Sequence, residues 1–423
     1  MDILLSKHFE YLNNDLHVEN VSLTRLAKEI GTPAYIYSKA EITDQVKALQ
    51  KAFGDVLPEG RQPRFFYACK ANSNINLLRY LNEMGVCLET VAVGEMHRGL
   101  KAGFKGSDML VTGVGKTHKE IRTYLENNIY SLNVESIPEL ERINKIAGEM
   151  GKTARVMMRL NPNVEGGAYD KISTGRAHDK FGLSAPTIID NYERADLKNI
   201  KFIGLSMHIG SQIETTQSYL TGYQVIAHLV GQLRDKGHNV ATLDIGGGFG
   251  IQYKDESLLD LKRVAEAVRD VIEPLGTEII MEPGRYIAGN AGLLLTKVEY
   301  VKEEGGRQFL ILDTAMNDLI RPTLYDAYHA VVPVANPHAE PTSYDIVGPI
   351  CETGDTFAKG RVLPKMQEGD LCVIQSAGAY TACMASNYNT RPLLPEIMVD
   401  GEAYKIIRRR QTLDDLFEME TTI

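Results

Sequence analysis

Lys70 ends the run Tyr67-Ala-Cys-Lys70, directly behind a β-rich stretch. A sheet wall that desolvates an ammonium lowers its pKa and frees the amine for imine chemistry. Most lysines in such a place merely snorkel to solvent, so the position gains meaning only from its company. Gly246-Gly247-Gly248 follows an apolar stretch ending at Ile245. Bare backbone N–H groups there can approach an anion, unless the glycines only make a tight turn against a helix. Ser211 adds a hydroxyl, and Gly284-Arg285 a second close turn. Glu282 ends another apolar stretch, where an unpaired carboxylate is costly. It needs a lysine, Arg285 or a protonated heterocycle nitrogen beside it. His208 is either a hydrogen-bonded core residue or a flat face against a planar ligand. An amine, an anion cradle, a ring stacker and a buried carboxylate are together what pyridoxal 5'-phosphate requires.

Such groups need a scaffold that brings strand ends to one place. Short β-rich runs at 64–69, 86–90, 109–112, 129–133, 154–160, 202–208, 242–245 and 278–282 alternate with stretches of helical period at 75–84, 94–102, 116–127, 137–150, 185–194, 219–236 and 258–272. That alternation argues for βαβ units and a parallel sheet. Eight strands with intervening helices over about 220 residues predict an α/β fold closed as a (β/α)8 TIM barrel, since open doubly wound sheets rarely need so many. Functional groups then belong at the carboxyl ends of the strands, where Lys70, Glu89, Thr112, Asn133, Arg159, His208, Gly246 and Glu282 all fall. After Arg285 the texture changes to strand-like runs at 293–301, 308–313, 343–347, 371–376 and 396–399, with Gly and Pro between them. This predicts a second, mostly β C-terminal domain, with which the early run 34–38 is expected to pair. The predicted division is 36–285 for the barrel and 1–35 plus 286–423 for the β-rich domain.

The net charge of -9 would repel a polyphosphate backbone, and Arg408-Arg409-Arg410 is too short to outweigh it, so nucleic-acid binding is a poor reading. Two long uncharged stretches, 215–233 and 371–390, are interrupted by Thr, Gln, Ser, Asn and Gly, which a hydrocarbon core would not tolerate, and no membrane span is expected. The start of the chain lacks the basic and apolar regions of a secretory signal. Five cysteines without a CxxC pair argue against a disulfide framework or a metal site. A reducing cytoplasm is the expected home. Cys69, Cys87, Cys372 and Cys383 are expected to be small buried apolar residues.

A series of motifs runs through the chain in order: Tyr67-Ala-Cys-Lys70-Ala-Asn72, Gly113-Val-Gly-Lys116, His208-Ile-Gly-Ser211, Gly246-Gly-Gly248, Glu282-Pro-Gly-Arg285, Met316-Asn-Asp-Leu-Ile-Arg321, Gly348-Pro-Ile-Cys351-Glu352-Thr-Gly-Asp355 and Ala377-Gly-Ala-Tyr380. On these residues, nearly end to end, the chain resembles the diaminopimelate decarboxylases. These are pyridoxal-phosphate enzymes of the alanine-racemase-like barrel group, which also holds ornithine and arginine decarboxylases. Arg321, Tyr325 and Glu352 in their contexts favour this likeness over the amine-producing relatives.

The resemblance implies decarboxylation of meso-2,6-diaminopimelate to L-lysine and carbon dioxide, the last step of lysine biosynthesis. It implies that Lys70 carries the cofactor, His208 stacks on its ring and Glu282 pairs with the pyridine nitrogen. Ser211, Gly248, Gly284 and the backbone of Arg285 would hold the phosphate, and Tyr380 would close over the cofactor. Arg285, Arg321 and Tyr325 would take the substrate's distal carboxylate and Glu352 its distal ammonium. Cys351 would donate the proton, arriving from the partner subunit of a homodimer in which the β-rich domain completes the active site. Glu89 stands where the family usually has Asp, Ala92 where Ser is common, and Gly167-Ala168 where His is often found. A cofactor carrier without turnover and a phosphosugar barrel enzyme are the alternative readings, and intact Lys70 and Cys351 disfavour the former.

Overall fold

The computed structural model describes residues 4, 6–164, 166, 174–176, 178–335 and 340–421. The chain divides into two units, Lys47–Gly250 with Leu258–Tyr286, and Met1–Val46 with Ile251–Ser257 and Ile287–Ile423.

In the first of these, β1 (Arg64–Ala68), β2 (Cys87–Thr90), β3 (Met109–Val111), β4 (Ser131–Val134), β5 (Ala154–Leu160), β6 (Ile200–Met207), β7 (Thr242–Gly247) and β8 (Glu278–Glu282) close into a parallel barrel in chain order, with β8 against β1. Helices Ile75–Glu83, Val93–Ala102, His118–Glu126, Ile137–Glu149, Ala185–Tyr192, Thr216–Asp235 and Leu261–Ala267 lie between consecutive strands. Their starts are encoded locally. Thr117 forms a capping box with Glu120, and Ser136 and Ser184 cap helices that carry proline in the first turn. Ala92 offers the helix behind β2 no capping oxygen. The helix expected over 258–272 is α-helical only to Ala267 and then widens into a π turn over Val268–Ile272. Pro274, which cannot donate a backbone hydrogen bond, follows directly. Helix Lys39–Gly54 was not among the expected elements, although Ile42, Val46, Leu49 and Phe53 are buried at helical spacing.

Paired residues of a parallel sheet point the same way, so register carries the inward face around the barrel. Ser206 pairs with both Arg159 and Asp244, and Ala68 with Glu89. Phe66, Leu110, Met157, Ile203 and Ile280 form one apolar cluster in the barrel. One layer nearer the carboxyl ends, Glu89, Asn133, Arg159, Ser206, Asp244 and Glu282 are all buried. Barrel interiors are ordinarily filled by bulky branched apolar residues, so a polar layer at this level marks a site.

In the second unit, strand Ala34–Ser38 lies between Gly292–Glu304, antiparallel to it, and Glu396–Asp400, parallel to it. The early run therefore pairs with the β-rich domain as expected. Tyr35 and Tyr37 enter one apolar cluster, with Leu294 and Ile374, while Ala34 and Ile36 enter another, with Leu293 and Val373. Both faces of this strand are covered, which is why it reads as an unbroken apolar run. Strands Thr356–Pro364 and Ala403–Arg408, at the two ends of the sheet, were not anticipated. The first contains Lys359, Gly360 and Arg361 and the second Lys405 and Arg408, the kind of residues that protect an edge and mask its strand pattern.

Cys69 and Cys372 are buried and Cys87 half-buried, but Cys383 is exposed, contrary to the expectation. It sits in a turn closed by the Met384 N–H on the Thr381 carbonyl, at 2.9 Å, where no core is available to it. Among the described residues no helix is long and apolar enough to cross a membrane. Gly167 and Ala168 lie outside the described residues.

Candidate active site

Lys70 stands in a single turn, Cys69–Ala71, above the end of β1. Its Nζ lies 3.4 Å from Glu89 Oε2, and the side chain is 40% exposed while Glu89 is fully buried. The barrel wall therefore does not desolvate the amine, as its place behind a strand had implied, because the turn lifts it beyond the last strand residue. Glu89 also accepts a short hydrogen bond from the Thr112 hydroxyl. His208 follows β6, and its Nδ1 accepts from the Gly247 N–H at 3.4 Å. Burial, then the positive charges of Lys70 and Arg159, hold His208 well below the usual imidazole pKa. A neutral, flat ring at this position is suited to stacking on a planar ligand.

Glu282 ends β8 with its carboxyl group beside that of Asp244. Its Oε1 is buried and has no hydrogen-bond partner among the described residues. Burial, then the negative charges of Asp244 and Glu89, hold the Glu282 carboxyl well above the usual carboxylate range, against the opposing pull of Lys70. Burial likewise pushes Asp244 up to about 6, although the Gly246 N–H (3.1 Å) and Asn133 Nδ2 (2.9 Å) bond to it. The three carboxyl groups lack sufficient positive charge among themselves and Lys70. A cation delivered to Oε1 would relieve the deficit, and a protonated pyridine nitrogen is such a cation. Asp244 was not singled out from the sequence. The available signal was an acid in the middle of a strand, Thr-Leu-Asp-Ile-Gly-Gly, that is buried throughout.

This electrostatics has a measurable consequence for the cofactor-free protein. A carboxyl whose folded pKa is raised keeps its proton longer in the folded than in the unfolded chain, so its contribution is present at low pH and lost as pH rises through the folded value. The stability of wild type minus that of Glu282→Gln should therefore fall as pH rises from ordinary carboxylate values of about 4 through 6 and beyond. Urea midpoints at several pH values check this, and a difference that stays level or grows with pH is the adverse result.

The loops behind β6, β7 and β8 approach one another closely. A Cβ on Gly248, whose φ is +87°, would fall 2.3 Å from the Gly210 carbonyl oxygen, and one on Gly247 would fall 2.0 Å from that of Glu282. Only glycine fits at either position, so the run after Ile245 is more than a flexible turn. The Arg285 guanidinium, buried, donates to Ser211 Oγ from Nη2 at 3.1 Å. Ser211, Gly248, Gly284 and Arg285 thus belong to adjacent strand-end loops, which is where barrels hold phosphate. The orphaned Glu282 oxygen and this glycine cradle fit the two poles of pyridoxal phosphate.

The remaining expected residues belong to the β-rich unit. Arg321 opens helix Arg321–Tyr325 and is buried, while Tyr325 closes it, half-buried. Cys351 and Glu352 are exposed on the turn between strands Pro341–Val347 and Thr356–Pro364. Asp355 holds that turn through its carboxylate, accepting the Ile350 and Met316 N–H groups, each at 2.7 Å. The Glu352 carboxylate nearby holds the Tyr388 hydroxyl above its usual pKa. Tyr380 is held at φ +54°, a backbone conformation disfavoured for a residue with a side chain.

Residues 39–289 match the family model described as the pyridoxal binding domain of pyridoxal-dependent decarboxylases. The diaminopimelate decarboxylase of Aquifex aeolicus is 40% identical over 413 residues, covering 97% of this chain and 97% of the relative. Among solved structures, diaminopimelate decarboxylase from M. jannaschii in complex with L-lysine superimposes with a TM-score of 0.94 at 31% identity, covering 100% of this chain and 99% of that one. The enzyme of that name from Helicobacter pylori, also with L-lysine, gives 0.89 at 35% identity, covering 94% and 98%.

Proposed function

The chain belongs to the pyridoxal-dependent decarboxylases, and from that membership we propose that it converts meso-diaminopimelate to L-lysine and carbon dioxide with pyridoxal phosphate as cofactor. When bound, pyridoxal phosphate supplies an electron sink for the pair released by a departing carboxylate. The observation that carries the reading is the buried Glu282 Oε1, which has no partner among the described residues in a layer rich in acids.

Within this reading Lys70 is the attachment amine, and Glu89 holds it in place through their ion pair. Glu282 would become anionic when paired with the heterocycle nitrogen, and neutral His208 would cover a ring face. Ser211, Gly248, Gly284 and the Arg285 backbone would hold the phosphate, with Tyr380 closing over the cofactor. Cys351 would hold a proton on Sγ and deliver it to Cα after carbon dioxide leaves. Arg285, Arg321 and Tyr325 bind the distal carboxylate, and Glu352 the distal ammonium. Lysine or ornithine, lacking that carboxylate, would leave the arginines unpaired and so be rejected as substrates. Cys351 and Glu352, exposed in one chain, would serve the site of a second copy in a homodimer with shared active sites. Free cysteines suit a cytoplasmic setting.

Purified holoprotein should show a visible cofactor band that borohydride bleaches, with the label on Lys70 in a peptide map. It should release carbon dioxide and L-lysine from meso-diaminopimelate. A label elsewhere removes Lys70 from its role, absence of carbon dioxide release refutes the reaction, and equal turnover of lysine refutes the assigned specificity.

A further inference from the structure

We infer that His329 is a positioning residue that aims Arg321 at the substrate's distal carboxylate and thereby helps set discrimination between diaminopimelate and diamines that lack that carboxylate. The inference rests on the reading of Arg321 as a ligand of that carboxylate.

His329 is buried between two groups of fixed hydrogen-bonding character. Its Nδ1 lies 2.8 Å from the Gln375 carbonyl oxygen and its Nε2 lies 2.7 Å from Arg321 Nη1. A carbonyl only accepts and a guanidinium only donates. Nδ1 must therefore carry the proton, and Nε2 must offer its lone pair to the arginine, so the bonding partners select one neutral tautomer. The Arg361 guanidinium anchors the same residue from the other side, donating to the His329 backbone carbonyl at 3.1 Å.

A second contact fixes the plane of the guanidinium. The Arg321 guanidinium carbon lies 4.7 Å from the centre of the Tyr253 ring, and that ring meets the His329 ring edge-on, with centroids 5.3 Å apart. One edge of the fork is thus held by a lone pair and one face by an aromatic ring, the two constraints needed to orient a planar group. The choice of partner matters. A carboxylate in place of the imidazole would hold Arg321 equally well but neutralise it, competing with the substrate. A neutral imidazole orients the arginine without itself neutralising its charge.

The test compares the holoenzyme with His329→Leu, His329→Gln, His329→Asn and Arg321→Gln, reading kcat and KM for meso-diaminopimelate beside the inhibition constant of 1,5-diaminopentane, which keeps both amines and lacks the distal carboxylate. His329→Leu should raise KM about 10- to 100-fold, as expected for losing a hydrogen bond to a charged group, with inhibition by 1,5-diaminopentane and the cofactor's visible band unchanged. His329→Gln, which can present an oxygen near the Nε2 position, should recover most of the loss. Should His329→Leu not fold, the Gln and Asn variants decide, because Asn places its amide at Nδ1 and cannot reach Arg321. Equal weakening of diaminopimelate and 1,5-diaminopentane, or no change in KM, overturns the inference while a selective loss in Arg321→Gln leaves the reading of Arg321 standing. An unchanged ratio in Arg321→Gln removes that reading itself.

Discussion

Glu282→Gln should lower turnover of meso-diaminopimelate on the order of 10²- to 10³-fold, the range seen when one preorganised electrostatic group is removed, while the cofactor remains attached to Lys70. The amide keeps the shape of the side chain and loses only its ability to be anionic. That ability is delicately placed, because burial and the charges of Asp244 and Glu89 already press Glu282 toward its protonated form. A heterocycle cation beside Oε1 would reverse the balance, and such a pair would keep the ring electron-poor. Steady-state turnover together with the absorbance of the attached cofactor checks this. Near-normal turnover would refute the pairing, whereas loss of the cofactor with unaltered turnover per remaining site would limit Glu282 to a binding role.

Lys70→Ala and Cys351→Ala should each be inactive alone, yet a mixture of the two should regain activity. In a two-fold dimer each site takes Lys70 from one copy and Cys351 from the other, so a hybrid has one site with both residues intact and one with neither. Random exchange of equal amounts makes half of the dimers hybrid, which predicts recovery of about one quarter of wild-type activity. Lys70 sits on a barrel strand end beside a buried partner, whereas Cys351 and Glu352 lie exposed on a turn. Activity in mixtures is read after subunit exchange has been demonstrated with differently tagged copies. No recovery despite exchange would place both residues in the service of one copy's own site.

The barrel was legible because each of its elements announces itself over a few neighbouring residues. Strand Arg64–Ala68 is almost wholly buried and apolar, helix His118–Glu126 begins with its own capping box, and the two periods alternate eight times. The same holds for Lys70 and Glu282, whose place at strand ends follows from where those strands stop. Edge strands such as Thr356–Pro364 were not legible, since charge and glycine serve there to prevent pairing with other chains and erase the alternation that identifies a strand. Asp244 escaped notice because an acid within an apolar run has no meaning until its neighbours are known.

From its own order of residues the chain determined a barrel, a β-rich partner domain and the identity of the groups at the strand ends, since period, capping and turn chemistry act between near neighbours. Only the tertiary structure decided which proton sits where. Asn133 meets Asp244 across 111 positions of sequence, Asp244 meets Glu282 from another strand, and the tautomer of His329 is set by Gln375, 46 positions away. Protonation depends on burial and on charges within a few ångströms, and those distances exist only once the barrel and the sheet have closed.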